Sequence, residues 1–188
     1  MIKTEELDPN FKYEIASMPG GERIKYCFNC TGCTVSCPVN EIDREFNPRK
    51  ILRQSLLGMR KEVLSSELIW LCSSCYACYE HCPQDVRITE IMGALRTIAE
   101  KEAHRGNIAV PCDKRKFDSA FTGSIKKHGR VYEAMTIAGF IFRTKGIGGM
   151  LAYTPMGLAM LRKGKLPLLP HGIKGKKQVK AIFEMMHR

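Results

Sequence analysis

Cys27, Cys30, Cys33 and Cys37, followed by Pro38, recur 45 positions later as Cys72, Cys75, Cys78 and Cys82, followed by Pro83. Both sets read C-x2-C-x2-C-x3-C-P. Thiolates are soft ligands, and three of them two residues apart let one tight loop wrap a compact inorganic core, which is what a [4Fe–4S] cubane requires. The fourth cysteine, with proline behind it, points away from its own loop; where two clusters share a chain, that cysteine ligates the other cluster. The spacing therefore predicts one cluster on Cys27, Cys30, Cys33 and Cys82 and a second on Cys72, Cys75, Cys78 and Cys37. Such a crossing ties the two halves together and brings the clusters near enough for electrons to tunnel.

Zinc is the competing occupant, since eight cysteines could form two sites of four thiolates each. Zinc ribbons use separated C-x2-C pairs rather than runs of four, so the pattern favours iron and sulfide. Gly32 and Ala77 hold the same place in the two loops, and small residues there are expected to let backbone N–H groups approach the cluster sulfurs. Phe28, Trp70, Tyr76 and Tyr79 lie near ligands, where ordinary packing or shielding from water would each explain them. His81 neighbours Cys82, but a Rieske centre needs two histidines and two cysteines, and all eight motif cysteines already have a role; His81 is read as a surface or supporting residue. The ninth cysteine, Cys112, reads as a small apolar filler or an idle thiol ahead of a sensor thiol or partner-facing ligand.

The elements that must position these ligands read as helices. Asn47-Pro48 has the form of an N-cap with proline at the first helical position, and Leu52, Leu56, Met59 and Val63 continue as one apolar stripe. Thr89 is the expected cap of a second helix, with Ile91, Leu95 and Ile98 on its buried face and Gly106 as its stop. No convincing alternating strand occurs in residues 22–105. Ahead of the motifs, residues 1–21 read as an N-terminal arm ending in the Pro19-Gly20-Gly21 turn. Residues 22–111 then form a two-cluster helical domain, and residues 112–188 a basic C-terminal docking region. In the last, helices are expected over about Ser119 to Lys127, about Arg130 to Arg143 and Lys177 to Met186, with an irregular stretch from Lys145 to Gly175.

Composition agrees with a folded redox protein. The formal charge is +11 from 30 basic and 19 acidic side chains among 188 residues. It is unevenly placed: residues 1–111 carry 14 basic and 15 acidic side chains, and residues 112–188 carry 16 and 4. A one-sided basic region predicts an anionic partner surface. Nucleic-acid binding is not expected, because the richest basic run, Lys174 to Lys180, has no interleaved aromatic residue. The polar start of the chain has no secretory h-region, and the longest uncharged run, Gly146 to Leu161, contains four glycines and Pro155. That run is too short and too broken to span a bilayer. A cytoplasmic location follows, where thiols stay reduced and clustered cysteines bind metal rather than forming disulfides. No nucleotide fingerprint, flavin motif or nucleophile–base pair is present, so no catalytic residue is expected on this chain.

Three stretches carry a family resemblance: CFNCTGCTVSCPVN, NPRKILRQSLLGM, and WLCSSCYACYEHCPQDV with the following IMGALRTIAEKE. Over about residues 20–105 the chain resembles the C-type iron–sulfur subunit of heterodisulfide reductase, and Gly149 to Ile173 looks similar with less specific motifs. The resemblance implies a mainly α, helical ferredoxin-type fold with two [4Fe–4S] clusters. It implies an electron-transfer component of an oxidoreductase complex, passing electrons from the flavin-bearing A-type subunit of heterodisulfide reductase to its disulfide-reducing B-type subunit. In anaerobic methanogenesis that disulfide joins coenzyme M and coenzyme B. Two alternatives stand beside it. The first is the iron–sulfur subunit of a fumarate reductase- or glycolate oxidase-like enzyme, disfavoured in its fumarate reductase form because no [2Fe–2S] cysteines precede Cys27. The second is a metal-stabilised nucleic-acid-binding module.

Overall fold

The computed structural model of the chain describes residues 7–110, 113–165 and 172–186. Among the described residues all regular structure is helical, as the sequence predicts. The chain divides into two compact units, Met1–Pro111 and Cys112–Arg188.

The frame of the first unit consists of α1 (Phe11–Ser17), α4 (Pro48–Leu56), α5 (Arg60–Ser65) and α7 (Ile88–His104). Three shorter helices, α2 (Gly32–Val35), α3 (Pro38–Ile42) and α6 (Ala77–Glu80), lie in the cysteine motifs. α4 starts as predicted: Pro48 is its first residue, and the Asn47 side chain accepts the Lys50 N–H at 2.9 Å. Ile51, Leu52 and Ser55 form its buried face. The expected single stripe from Leu52 to Val63 is split into two helices at Gly58. Gly58 has φ 83°, and a Cβ there would collide with the Asp8 carbonyl oxygen. The close approach is a backbone pairing, since the Asp8 N–H donates to the Gly58 carbonyl at 2.8 Å.

That pairing shows why residues 7–21 are no loose arm. Phe11 and Ile15 are fully buried, and α1 packs on α4 and α7. Fully burying side chains of this size stabilises the fold by about 1.5–3 kcal/mol each relative to exposure. Arg60 of α5 reinforces the contact with a two-pronged pair to Glu14, Nε to Oε2 at 2.9 Å and Nη2 to Oε1 at 3.0 Å.

α7 begins before the expected cap. Arg87, left-handed at φ 60°, precedes it, and Thr89 sits inside the first turn, buried. The reason is chemical: the Thr89 hydroxyl faces the Cys78 sulfur at 3.3 Å instead of capping backbone. Ile91, Met92, Leu95 and Ala99 are fully buried along α7, which stops, as predicted, at Gly106 with φ 77°.

The second unit holds α8 (Asp113–His128), α9 (Glu133–Arg162) and α10 (Lys176–Met186). α8 and α9 pair through Phe117 and Phe140, edge to face with centroids 5.5 Å apart, and Ser124 Oγ accepts the Tyr132 N–H at 2.9 Å across the turn. The stretch expected to be irregular from Lys145 onward is helical to Arg162. Gly146, non-helical with φ 63° and ψ −158°, separates it from the helix before it. Leu, Met and Ala are strong helix formers that outweigh the single N–H lost at Pro155. The part of that stretch at residues 166–171 lies outside the described residues. Among the described residues no helix is long and apolar enough to cross a membrane.

Candidate metal centres

The 45-residue repeat of the sequence is a repeat of backbone geometry. A 3-10 turn, Ile24–Tyr26, leads into the first motif, and another, Glu67–Trp70, leads into the second. Ile24 and Ile69, at equivalent places in the repeat, are both fully buried and anchor their loops. Inside the loops, Asn29 (φ 70°) and Thr31 (φ 75°) are left-handed, and so are their counterparts Ser74 (φ 55°) and Tyr76 (φ 62°). Left-handed residues alternating in a loop turn backbone N–H groups inward into an anion-binding nest, a device common to iron–sulfur sites. Each such residue costs on the order of 1–3 kcal/mol, which the surrounding packing must hold in place. α2 and α6 then close the two loops at matching positions.

The two loops bring the eight cysteines together in crossed sets. Cys27, Cys30, Cys33 and Cys82 line one cavity with about 310 Å³ of empty space. Cys37, Cys72, Cys75 and Cys78 line a second of about 330 Å³, which Cys33 also borders. None of the eight is in a disulfide; Cys30 and Cys75 are exposed at the rims and Cys33 is buried.

Local contacts carry each fourth cysteine across. Cys37 precedes α3 with Pro38 at the first helical position, and Asn40 Nδ2 donates to the Phe46 carbonyl at 2.7 Å, setting Phe46 on the wall of the second cavity. On the other side, Asp85 (φ 46°) and Arg87 turn the chain so that the Val86 N–H donates to Cys82 Sγ at 3.3 Å. Arg23 pairs with the Asp85 carboxylate and donates to the Asp85 carbonyl at 3.0 Å, fastening this loop to the segment before the first motif. Arg96 braces the second motif: its Nε donates to the Ile69 carbonyl at 2.8 Å and its Nη2 to the Cys72 carbonyl at 2.9 Å, with the guanidinium over the Trp70 ring.

Burial shapes the chemistry of the sulfurs. Burial pushes the Cys33 thiol up to about 11; the Thr34 hydroxyl opposes this, and the nearby Cys27, Cys78 and Cys30 thiols add to it. Burial also raises the Cys78 thiol, with the Thr89 hydroxyl opposing. Crowded, desolvated thiols of this kind become thiolates when a metal replaces their protons. Among the described residues no group of three or more His, Cys, Asp or Glu side chains converges on a point that could hold a single ion. Four sulfurs lining one cavity suit a polynuclear core. Arg49 Nε, buried on the wall of the first cavity with no protein hydrogen-bond partner, fits an anionic group there.

Other expected participants resolve differently. A Cβ on Gly32 would come within 2.8 Å of the His81 carbonyl oxygen and 3.7 Å of Cys30 Sγ, so glycine lets α2 pack on α6. His81 is exposed, with Nδ1 2.9 Å from the Ala77 carbonyl oxygen. Trp70 is a core residue held under Arg96, and Phe28 is more than half exposed. Tyr76 and Tyr79 meet edge to face at 5.2 Å, and the Tyr79 phenol is pushed up by burial and the Glu90 carboxylate. Cys112 lies outside the described residues. Spacing alone does not reveal Arg49, Val86, Thr89 or Arg96. Of the left-handed loop residues only Asn29 carries a sequence signal, because asparagine tolerates that conformation.

The family model of the 4Fe-4S dicluster domain matches residues 23–86, which contain both motifs. The chain carries two [4Fe–4S] clusters. It is 42% identical over 118 residues to the C2 subunit of the H(2)/formate:CoB-CoM heterodisulfide,ferredoxin reductase of Methanococcus maripaludis, covering 59% of this chain and 61% of that protein. It is 44% identical over 117 residues to the second C-type iron-sulfur subunit of the CoB--CoM heterodisulfide reductase of Methanocaldococcus jannaschii, covering 58% and 60%. Over 114 residues it is 32% identical to the C-type subunit of the H(2):CoB-CoM heterodisulfide,ferredoxin reductase of Methanothermobacter thermautotrophicus, covering 61% and 58%. The match thus spans about three fifths of the length of these curated relatives. The resemblance to the C-type subunit of heterodisulfide reductase holds across all three.

Proposed function

We propose that this chain is the iron–sulfur electron-transfer subunit of a heterodisulfide reductase complex. Cys27, Cys30, Cys33 and Cys82 hold one [4Fe–4S] cluster, and Cys37, Cys72, Cys75 and Cys78 hold the other. The observation that carries the reading is the crossed gathering of eight sulfurs into two cavities that share Cys33 and Ile88 as a common wall. Each cluster, when bound, takes up and releases one electron.

The chain's own residues supply position, insulation and polarity. The left-handed residues at 29, 31, 74 and 76 give the loops the backbone form of an anion-binding nest. The Val86 N–H and the Thr89 hydroxyl lie against the ligand sulfurs of Cys82 and Cys78. Ile88 of α7 keeps the shared wall apolar, and Met92 does the same for the second cavity. The exposed rims at Cys30 and Cys75 offer short paths to docked partners.

In this role the chain works in the cytoplasm between two other proteins of the complex. The flavin-bearing A-type subunit supplies electrons, and the B-type subunit reduces the disulfide of coenzyme M and coenzyme B. The basic second unit serves as a docking region for partners with acidic surface. No substrate site is assigned to this chain, because a one-electron relay needs only clusters, burial and contact surfaces. Anaerobic co-purification tests the reading. It predicts recovery of a flavoprotein and a disulfide-reducing protein, with reduction of the mixed disulfide lost when this chain is removed. Recovery with a fumarate- or glycolate-linked flavoprotein, and no disulfide reduction, contradicts it.

A further inference from the structure

The two cysteine loops are repeats, but the walls of their cavities are not. Neutral groups lie against sulfurs in both cavities: the Val86 N–H at Cys82 and the Thr89 hydroxyl at Cys78, both at 3.3 Å, with the Thr89 backbone also bonded to Cys78 and the Thr34 hydroxyl 3.9 Å from Cys33 on the shared wall. The difference lies in charge. Arg49 lines the first cavity, whereas the second is faced by Val39, Phe46 and Met92 and, among its described lining residues, has no charged side chain.

Arg49 is held for this position. Its backbone N–H donates to Thr34 Oγ1 at 3.3 Å, and that hydroxyl donates to the cap residue Asn47 at 3.0 Å. The side chain leaves the first turn of α4 with Nε buried and without a protein partner. A buried donor left unsatisfied costs about 1–3 kcal/mol, so a sulfur-rich anion in the cavity is the partner this nitrogen lacks. Asn29 is also on this wall with a buried, unpartnered side-chain oxygen, and turning its amide over presents an N–H to the same space.

A cluster held by four thiolates is anionic and gains one more negative charge on reduction. A fixed cation and an N–H donor on its wall therefore favour the reduced form, and hydrocarbon walls disfavour it. Arg96 is a cation near the second site, but it is spent on the Ile69 and Cys72 carbonyls. We propose that Arg49 is a potential-setting residue, which makes the site on Cys27, Cys30, Cys33 and Cys82 the more readily reduced of the two. At equilibrium the singly reduced chain then holds its electron at the Arg49 end. This rests on the two-cluster reading above.

The test is a dye-mediated redox titration of the anaerobically purified full-length holoprotein, followed by electron paramagnetic resonance. Thr89→Val identifies the second site as the signal it shifts. The expected result is two midpoint potentials, the lower belonging to the Thr89-sensitive signal. Arg49→Gln lowers the higher potential and leaves the Thr89-sensitive one in place, and Arg49→Lys recovers part of the shift. If the Thr89-sensitive signal has the higher potential, or if Arg49→Gln and Arg49→Lys both leave the potentials unmoved, the proposal is overturned while the two-cluster reading stands. Wild-type protein giving no iron–sulfur signal overturns that reading itself.

Discussion

The Val86 N–H donates to the sulfur of Cys82 at 3.3 Å, although Cys82 belongs to the second motif and lines the cavity built on the first. The contact fixes the orientation of a sulfur that lines the cavity of the other loop. Cys82→Ser accordingly damages the cluster on Cys27, Cys30 and Cys33 more than the one on Cys72, Cys75 and Cys78. Resonance spectra of the anaerobically prepared variant check this. Loss of the second signal with the first intact contradicts the crossed assignment.

Thr89 reads in the sequence as a helix cap and instead faces a ligand sulfur. Valine keeps its shape and branching but removes the hydroxyl. Thr89→Val leaves both clusters in place, changes stability by no more than about 1.5 kcal/mol, and lowers the potential of the cluster on Cys37, Cys72, Cys75 and Cys78. Denaturant unfolding and a redox titration read the two effects separately.

Arg96 braces the entrance to the second motif through two backbone carbonyls. Arg96→Ala removes two charge-assisted hydrogen bonds and the packing on Trp70. The expected loss is on the order of 2–4 kcal/mol of stability, with iron lost first from the second site. Iron analysis alongside thermal unfolding checks it; even loss from both sites contradicts the assigned role.

Glu102 is buried in α7, where Asn107 Nδ2 donates to it at 2.8 Å, Arg105 Nη1 at 2.9 Å, and Arg60 Nη2 lies 3.5 Å away. The Asn107 hydrogen bond, followed by Arg60 and Arg105, holds its carboxyl below the ordinary value of 4.5 despite burial. A depressed folded-state pKa contributes stability above about pH 4.5 and loses it as the pH falls through the lowered value. Glu102→Gln therefore costs about 1–3 kcal/mol, and the gap from wild type is constant between about pH 8 and pH 5. Guanidinium unfolding across that range measures it, and a gap that shrinks well above the carboxylate range contradicts the shift.

The gathering of the eight cysteines around two cavities was legible in the sequence because cubane chemistry fixes both residue type and spacing. The helices of the first unit were legible where chemistry and periodicity agreed, as at Asn47-Pro48 and Gly106. They were misread where a residue answered to the site instead of the helix, as at Thr89, or where one close backbone approach broke a continuous stripe, as at Gly58. The burial of Phe11 and Ile15 was invisible because a helix as short as α1 has too few turns to show a period. In the second unit Gly146 breaks the helical path, as read, with non-helical φ 63° and ψ −158° between two helical stretches, whereas Pro155 lies inside the second stretch. Arg49 looked like any basic residue in the first turn of a helix. Only the cavity wall shows that its Nε has no partner in the protein.

Everything turns on two iron–sulfur cubanes bound by eight cysteines. Iron, zinc and acid-labile sulfide should be measured on protein purified without exposure to oxygen. About eight irons and eight sulfides per chain are expected for two tetranuclear sites. About two zinc ions per chain with no sulfide would contradict both the centres and the electron-transfer role built on them.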